Sequence, residues 1–207
     1  MNDLYLNDCL NIVKNIKNET IDLIYLNPPF FTQKIQKLSN KNGIKYSFND
    51  KWNSKEDYLS FIKDRIIEFK RVLKNTGNIF LHCDNKVSHN LRCLLDDVFG
   101  EDNFRSEIIW NYKKWSNSKK NLLQAHQTIF FYSKTKNFKF NTIYQNYSLT
   151  TNIDQILQKR TRNELNKSSY KYNNNEIVFD KEKKGVPLSD VWNIHYEIGR
   201  ASCRERV

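Results

Sequence analysis

Six residues, Ile21-Asp22-Leu23-Ile24-Tyr25-Leu26, form a short apolar run that stops at Asn27-Pro28-Pro29-Phe30. Such a run predicts a buried strand. Proline offers no N–H to a sheet and fixes φ, so the strand must end in a rigid corner. A second run, Asn78-Ile79-Phe80-Leu81-His82, leads into Cys83-Asp84. Glu107-Ile108-Ile109-Trp110 and Thr128-Ile129-Phe130-Phe131-Tyr132 are further strand candidates. Between them lie helix signals. Ser54-Lys55-Glu56-Asp57 resembles a capping box with Asp for the usual Glu, and Tyr58, Phe61, Ile62, Ile66, Phe69 and Leu73 follow at spacings of three and four. Gly77 is expected to end that helix. Leu91, Leu94, Leu95 and Val98 share a face of another helix, with Gly100 as its stop. Asp8 is a candidate N-cap for a stretch carrying Leu10, Ile12, Val13 and Ile16. Residues 31–51 are polar and irregular and read as a loop.

Strands alternating with helices predict the α/β class: a partial doubly wound, mostly parallel sheet. Ligands in such sheets bind beyond the C-terminal ends of the strands. Asn27-Pro28-Pro29-Phe30 and His82-Cys83-Asp84 both occupy such ends. From 134 to 184 the periodicity fades into a segment rich in Lys, Asn, Gln and Tyr. The expected organisation is therefore a partial catalytic core over 1–133, a polar recognition segment over 134–184, a return towards the core over 185–197, and a tail.

That tail, 198–207, departs from the rest. Three of the chain's nine arginines (Arg200, Arg204, Arg206) fall there, and Lys and Asn vanish. It reads like translated adapter DNA and is expected to be non-native, so it is set aside. The 207 residues carry a formal charge of +11; without the tail's three arginines and one glutamate, +9 remains. A basic balance of that size points to an anionic polymer as partner. Cys9, Cys83 and Cys93 are an odd set without C-x-x-C spacing, which speaks against a disulfide framework or a zinc site and for a reducing compartment. No His/Cys/Asp spacing reads as a metal site. No apolar run nears the roughly 20 residues of a membrane helix, and Met1-Asn2-Asp3-Leu4 lacks a signal-peptide start. A cytoplasmic setting without membrane attachment is expected.

The proline corner suits one chemistry in particular. An exocyclic amine on an aromatic ring is a poor nucleophile because its lone pair is delocalised. Two acceptors aimed at its N–H groups draw that pair back onto nitrogen. The Asn27 side-chain oxygen and the Pro28 carbonyl can supply them, Pro28 and Pro29 stiffen the turn, and Phe30 can stack on the base. A base inside a duplex must first be flipped out. Tyr112-Lys113-Lys114-Trp115-Ser116-Asn117-Ser118-Lys119-Lys120 interleaves cations with aromatics, so Lys113, Lys114, Lys119 and Lys120 are candidate phosphate contacts and Trp115 a candidate stacking or wedging side chain.

The segment Asp22-Leu23-Ile24-Tyr25-Leu26-Asn27-Pro28-Pro29-Phe30 resembles motif IV, (D/N/S)-P-P-(Y/F), of amino-methylating DNA methyltransferases. Motif IV near the N-terminus resembles the permuted (beta) group. Asp8-Cys9-Leu10 resembles the group's "DCL" element, and Gly77-Asn78-Ile79-Phe80-Leu81-His82-Cys83-Asp84 its "G-x-I-x-L-H-C-D" strand. Ser106–Trp110, His126–Lys134 and Gly185–Trp192 resemble later blocks.

The resemblance implies a site-specific DNA methyltransferase of a restriction–modification system. It would transfer a methyl group from S-adenosylmethionine to adenine N6 in duplex DNA, with cytosine N4 as the alternative base. Rival readings are RNA or protein-glutamine methylation and a non-catalytic DNA-binding module. The implied catalytic residues are Asn27, Pro28, Pro29 and Phe30, and the implied cofactor contacts are Asp8, Cys9, His82 and Asp84. A restriction endonuclease subunit is the implied protein partner. Asn27 stands where Asp is commonest in this group, and a neutral amide is a weaker acceptor than a carboxylate. The five glycines form no G-x-G loop, so the chain is expected to be an N-terminal fragment, inactive alone.

Overall fold

The computed structural model describes residues 3–39, 45–112, 120–180 and 185–194. These fall into two compact units, one built from the chain up to Lys139 and from Asp190 on, the other from Phe140–Ser189. In chain order the elements are α1 (Cys9–Val13), β1 (Ile21–Leu26), β2 (Lys34–Ser39), β3 (Lys45–Asp50), α2 (Lys55–Val72), β4 (Leu73–Cys83), α3 (Ser88–Phe99), β5 (Phe104–Asn111) and β6 (His126–Ser133). The second unit holds β7 (Tyr144–Gln145), α4 (Ile153–Leu157), β8 (Arg160–Arg162), β9 (Ser168–Tyr170), β10 (Tyr172–Asn173), β11 (Glu176–Ile177) and β12 (Val186–Pro187). The last strand, β13 (Val191–Trp192), belongs to the first unit.

One five-stranded sheet orders the first unit as β1-β4-β6-β5-β13. β1 runs parallel to β4 and β13 parallel to β5, while β6 is antiparallel to both its neighbours. Four strands therefore run one way and one runs against them: the mostly parallel α/β sheet that the strand–helix alternation predicts. α2 and α3 pack on one face. Tyr58, Ile62, Ile66, Phe69 and Val72 of α2 and Leu91, Leu95 and Phe99 of α3 meet Ile79, Leu81, Cys83, Phe130 and Tyr132. The opposite face carries a smaller cluster, Ile108, Ile129 and Phe131 with Phe80, Phe138 and Trp192 against them. No helix among the described residues is long and apolar enough to cross a membrane.

The helix caps form where the sequence places them. The Asp8 carboxylate accepts from the Leu10 N–H at 2.8 Å, and Ser54 Oγ accepts from the Asp57 N–H at 3.0 Å. Three expectations need correction. Residues 31–51 hold a hairpin rather than a loop: β2 and β3 pair antiparallel from Lys34↔Asp50 to Ser39↔Lys45. Two short strands rich in Lys, Ser, Asn and Gln leave little apolar period to read, so the segment looks irregular in sequence. α2 ends at Val72, not Gly77, because the chain turns extended at Leu73 (ψ 138°) and joins β1. Gly77 serves the strand instead: a Cβ there would sit 3.1 Å from the Ile21 carbonyl oxygen and 3.0 Å from that of Lys74. Finally, β1 is not buried. It is the edge of the sheet, and Leu23 and Tyr25 are more than half exposed on the face that α2 and α3 leave uncovered.

Candidate active site

β1 delivers its chain to the end of the sheet. Leu26 is the last residue in register, opposite Leu81, so Asn27 emerges beside His82 at the C-terminal end of the parallel pair. Asn27 is exposed, and its side-chain amide has no hydrogen-bond partner among the described residues. The corner behind it is fixed twice over. Pro28 and Pro29 fix two successive φ angles. The Tyr58 hydroxyl, fully buried on α2, donates to the Pro29 carbonyl at 2.9 Å. Burial, followed by the nearby Cys83, Asp50 and Asp84, pushes the Tyr58 pKa up, so the hydroxyl stays a donor.

The chain then leaves through two left-handed residues, Phe31 (φ 56°) and Gln33 (φ 60°). Such backbone is uncommon for large side chains and persists where the surroundings over-determine it. Here the buried carboxylate of Asp50 does so. It accepts from the Thr32 N–H (2.8 Å), the Thr32 hydroxyl (2.6 Å) and the Trp52 indole N–H (3.0 Å). Gln33 and Trp52 exchange a second pair of hydrogen bonds.

Phe30 is partly buried, with its ring against His82 edge-to-face at 5.2 Å between centroids. His82 is wholly buried, and both ring nitrogens are engaged: Nδ1 with the Tyr25 hydroxyl at 3.1 Å and Nε2 with Gln127 Oε1 at 2.9 Å. Trp110 packs on it at 5.5 Å. Desolvation lowers the His82 pKa, with the Gln127 hydrogen bond opposing. His82 thus stands behind the corner and has no free nitrogen to offer a cofactor, which differs from the role its strand-end position implied.

The other three implied cofactor contacts lie nearer the surface. Asp8 caps α1 and pairs with Arg65 at 2.6 Å, yet its side chain keeps 46% of its exposure. Arg65 is buried, with its guanidinium 3.2 Å from the Phe61 ring centroid. Cys9 is exposed. Asp84 follows β4 and accepts from the Lys86 N–H at 3.0 Å; burial raises its pKa despite Lys86. Asp8 is half exposed and Asp84 partly buried, and their carboxylate oxygens are the kind of acceptors that would suit the hydroxyl and ammonium groups of a cationic nucleoside ligand. Among the described residues no three His, Cys, Asp or Glu side chains converge as a metal site would.

Of the implied DNA contacts, Lys120 is exposed just before β6, while Lys113, Lys114, Trp115 and Lys119 lie outside the described residues. The sequence reading missed Tyr58, Asp50, Tyr25, Gln127 and Arg65. Only Tyr58 carried a signal, as the first apolar residue of the α2 stripe.

A family model for DNA methylases, N6_N4_Mtase, matches residues 21–202. The chain belongs to this family. Among individual relatives, the Type II methyltransferase M.HinfI of Haemophilus influenzae is 30% identical over 170 residues, covering 78% of this chain and 45% of its own length. The Type II methyltransferase M.BamHI of Bacillus amyloliquefaciens is 29% identical over 204 residues, 98% of this chain and 42% of that one. The StyLTI Mod subunit of a Type III restriction-modification enzyme from Salmonella typhimurium is 27% identical over 150 residues, covering 62% and 23%. The solved PvuII DNA methyltransferase (cytosine-N4-specific) has a TM-score of 0.44 at 21% identity, covering 64% of this chain and 49% of that chain. This DNA methylase chain therefore spans less than half the length of the relatives it matches.

Proposed function

We propose that this chain forms the base-binding corner of a DNA amino-methyltransferase that acts on adenine N6 in duplex DNA within a restriction–modification system. The observation that carries the reading is Asn27: an exposed amide without a hydrogen-bond partner among the described residues, at the end of a parallel strand pair, on a turn that two prolines and Tyr58 hold still. The flipped base would donate its two amine hydrogens to the Asn27 oxygen and the Pro28 carbonyl. Pro29 would keep the turn in place and Phe30 would stack on the ring. Fixing the amine in this way concentrates catalysis in positioning. S-adenosylmethionine would supply an electrophilic methyl group on a sulfonium. Asp8 and Asp84, with the exposed Cys9 beside Asp8, would hold it.

The segment 134–184 would read DNA, with Lys113, Lys114, Lys119 and Lys120 on phosphates and Trp115 against an unpaired base. The kinship with a Mod subunit of a restriction-modification enzyme supports a restriction endonuclease as partner; a cytoplasmic setting is part of the same proposal.

The test is radiolabelled methyl transfer to duplex DNA by an enzyme that carries the whole length of the relatives. Mass spectrometry of the released nucleosides gives the base. N6-methyladenine is expected; N4-methylcytosine would reassign the target. Asn27→Ala should abolish transfer while leaving the melting temperature unchanged. Retained transfer would remove Asn27 from the reaction.

A further inference from the structure

We propose that His82 is a positioning residue. Its buried ring sets the angle and place of Phe30, and with it the grip on the extruded base. The inference rests on the functional reading above for its consequence, but its geometry stands alone.

His82, next to last in β4, lies on the face that Phe80, Phe131, Ile129 and Ile108 make apolar. A leucine would fill that place without needing partners, and a buried imidazole must find two. It finds them on the strands at either side. Gln127 Oε1 accepts, which requires a proton on Nε2; Nδ1 is then left to accept from the Tyr25 hydroxyl. That fixes one neutral tautomer and locks the ring between β1 and β6. Lowering of the His82 pKa by burial suits the neutral form.

The locked ring is a template on which the aromatic side chains around the corner rest. Phe30 meets it at an interplanar angle of 70°, Trp110 at 52° and Tyr25 at 44°. Trp110 is itself tied by its indole N–H to the Ile194 carbonyl at 2.9 Å. Phe30 has no hydrogen-bonding group, so its orientation is set by what it touches. A stacking side chain grips a base only in the right plane. His82 therefore acts through Phe30 on base capture and does not touch the transferred methyl group.

The experiment has two arms. In this chain, 4-fluorophenylalanine is placed at position 30 and its 19F resonance recorded. The parent is expected to give one narrow line. His82→Asn keeps an acceptor for Tyr25 but loses Gln127, and Gln127→Leu loses the same bond from the other side without touching His82. Both should shift and broaden the line. If the line is unchanged in both folded variants, the positioning role is overturned. Gln127→Leu keeps the test alive should His82→Asn fail to fold.

In the whole-length enzyme, Gln127→Leu should raise KM for a duplex with adenine at the target position about tenfold, and should weaken the extrusion signal of a second duplex carrying 2-aminopurine, which has no N6 amine to methylate, at that position. The kcat should stay within about threefold. A loss confined to kcat would overturn the role in capture. If the whole-length parent transfers no methyl group while the 19F line responds, the functional reading fails and the positioning of Phe30 stands.

Discussion

The Tyr58 hydroxyl and the Pro29 carbonyl meet at 2.9 Å across 29 residues of sequence. Tyr58→Phe keeps the ring's packing against Trp52 and Phe31 but leaves that carbonyl without its donor. The expected cost is about 1–3 kcal/mol, read as a lower urea midpoint, and methyl transfer should fall with it. The same residue contributes to a pH dependence. Burial raises the pKa values of Tyr58 and Tyr132 and pushes the Cys83 thiol up to about 12. Groups with raised folded pKa values stabilise fully below their unfolded values, 9.0 for Cys and 10.0 for Tyr, and lose that contribution as pH climbs towards the folded ones. The urea midpoint should therefore decline from about pH 9 upward. Cys83→Val should remove the earliest part of the decline. A midpoint flat from pH 9 to 11 would show that these groups titrate alike in both states. The corner at Asn27, Pro28, Pro29 and Phe30 was legible as a strand end because two adjacent prolines cannot continue a sheet. Asp50 and Gln127 were not, since they act on partners 18 and 45 residues away, and Tyr58 showed only as an apolar residue of the α2 stripe, not as a donor to Pro29.

At the scale of elements, the β2–β3 ribbon is the piece that sequence periodicity could not deliver. A lone two-stranded hairpin is marginal in water and needs an anchor. Asp50 is that anchor, at the ribbon's base, paired with Lys34, the residue that follows the left-handed Gln33. Asp50→Asn keeps the shape but presents an NH2 to donors. The expected result is loss of hydrogen-exchange protection in β2 and β3 and a red shift of Trp52 emission, with α2 and β4 protection intact. Uniform loss across the sheet would place the anchor's effect on the whole core instead. β4 makes the opposite point. Its apolar run was legible, yet its first residues were read as helix, because Val72 and Leu73 continue the α2 stripe. Pairing with β1 decides the boundary. Gly77→Ala would push a methyl group against the Ile21 and Lys74 carbonyls, both backbone. We expect a loss of about 1–3 kcal/mol in urea unfolding, with β1 the first element to lose protection.

For the whole molecule the α/β class was legible from four apolar runs and two helices of regular spacing. The second unit was not, because its strands are two or three residues long and polar and leave no period to read. Charge is the property that spans both units, and it sets the last expectation. A formal +11 on 207 residues should make binding to duplex DNA fall steeply with salt. If Lys113, Lys114, Lys119 and Lys120 each neutralise a phosphate, replacing all four by alanine should flatten the plot of log Kd against log salt by about 3 to 4. Fluorescence anisotropy with a labelled duplex over a potassium chloride series measures it. The loss should be the same for any DNA sequence, since phosphate contacts position a protein and do not read bases. Asn27→Ala, by contrast, should leave the slope untouched, because in the proposed role the corner would meet a base and no phosphate. A slope unchanged by the four lysine replacements would take that segment out of the interface.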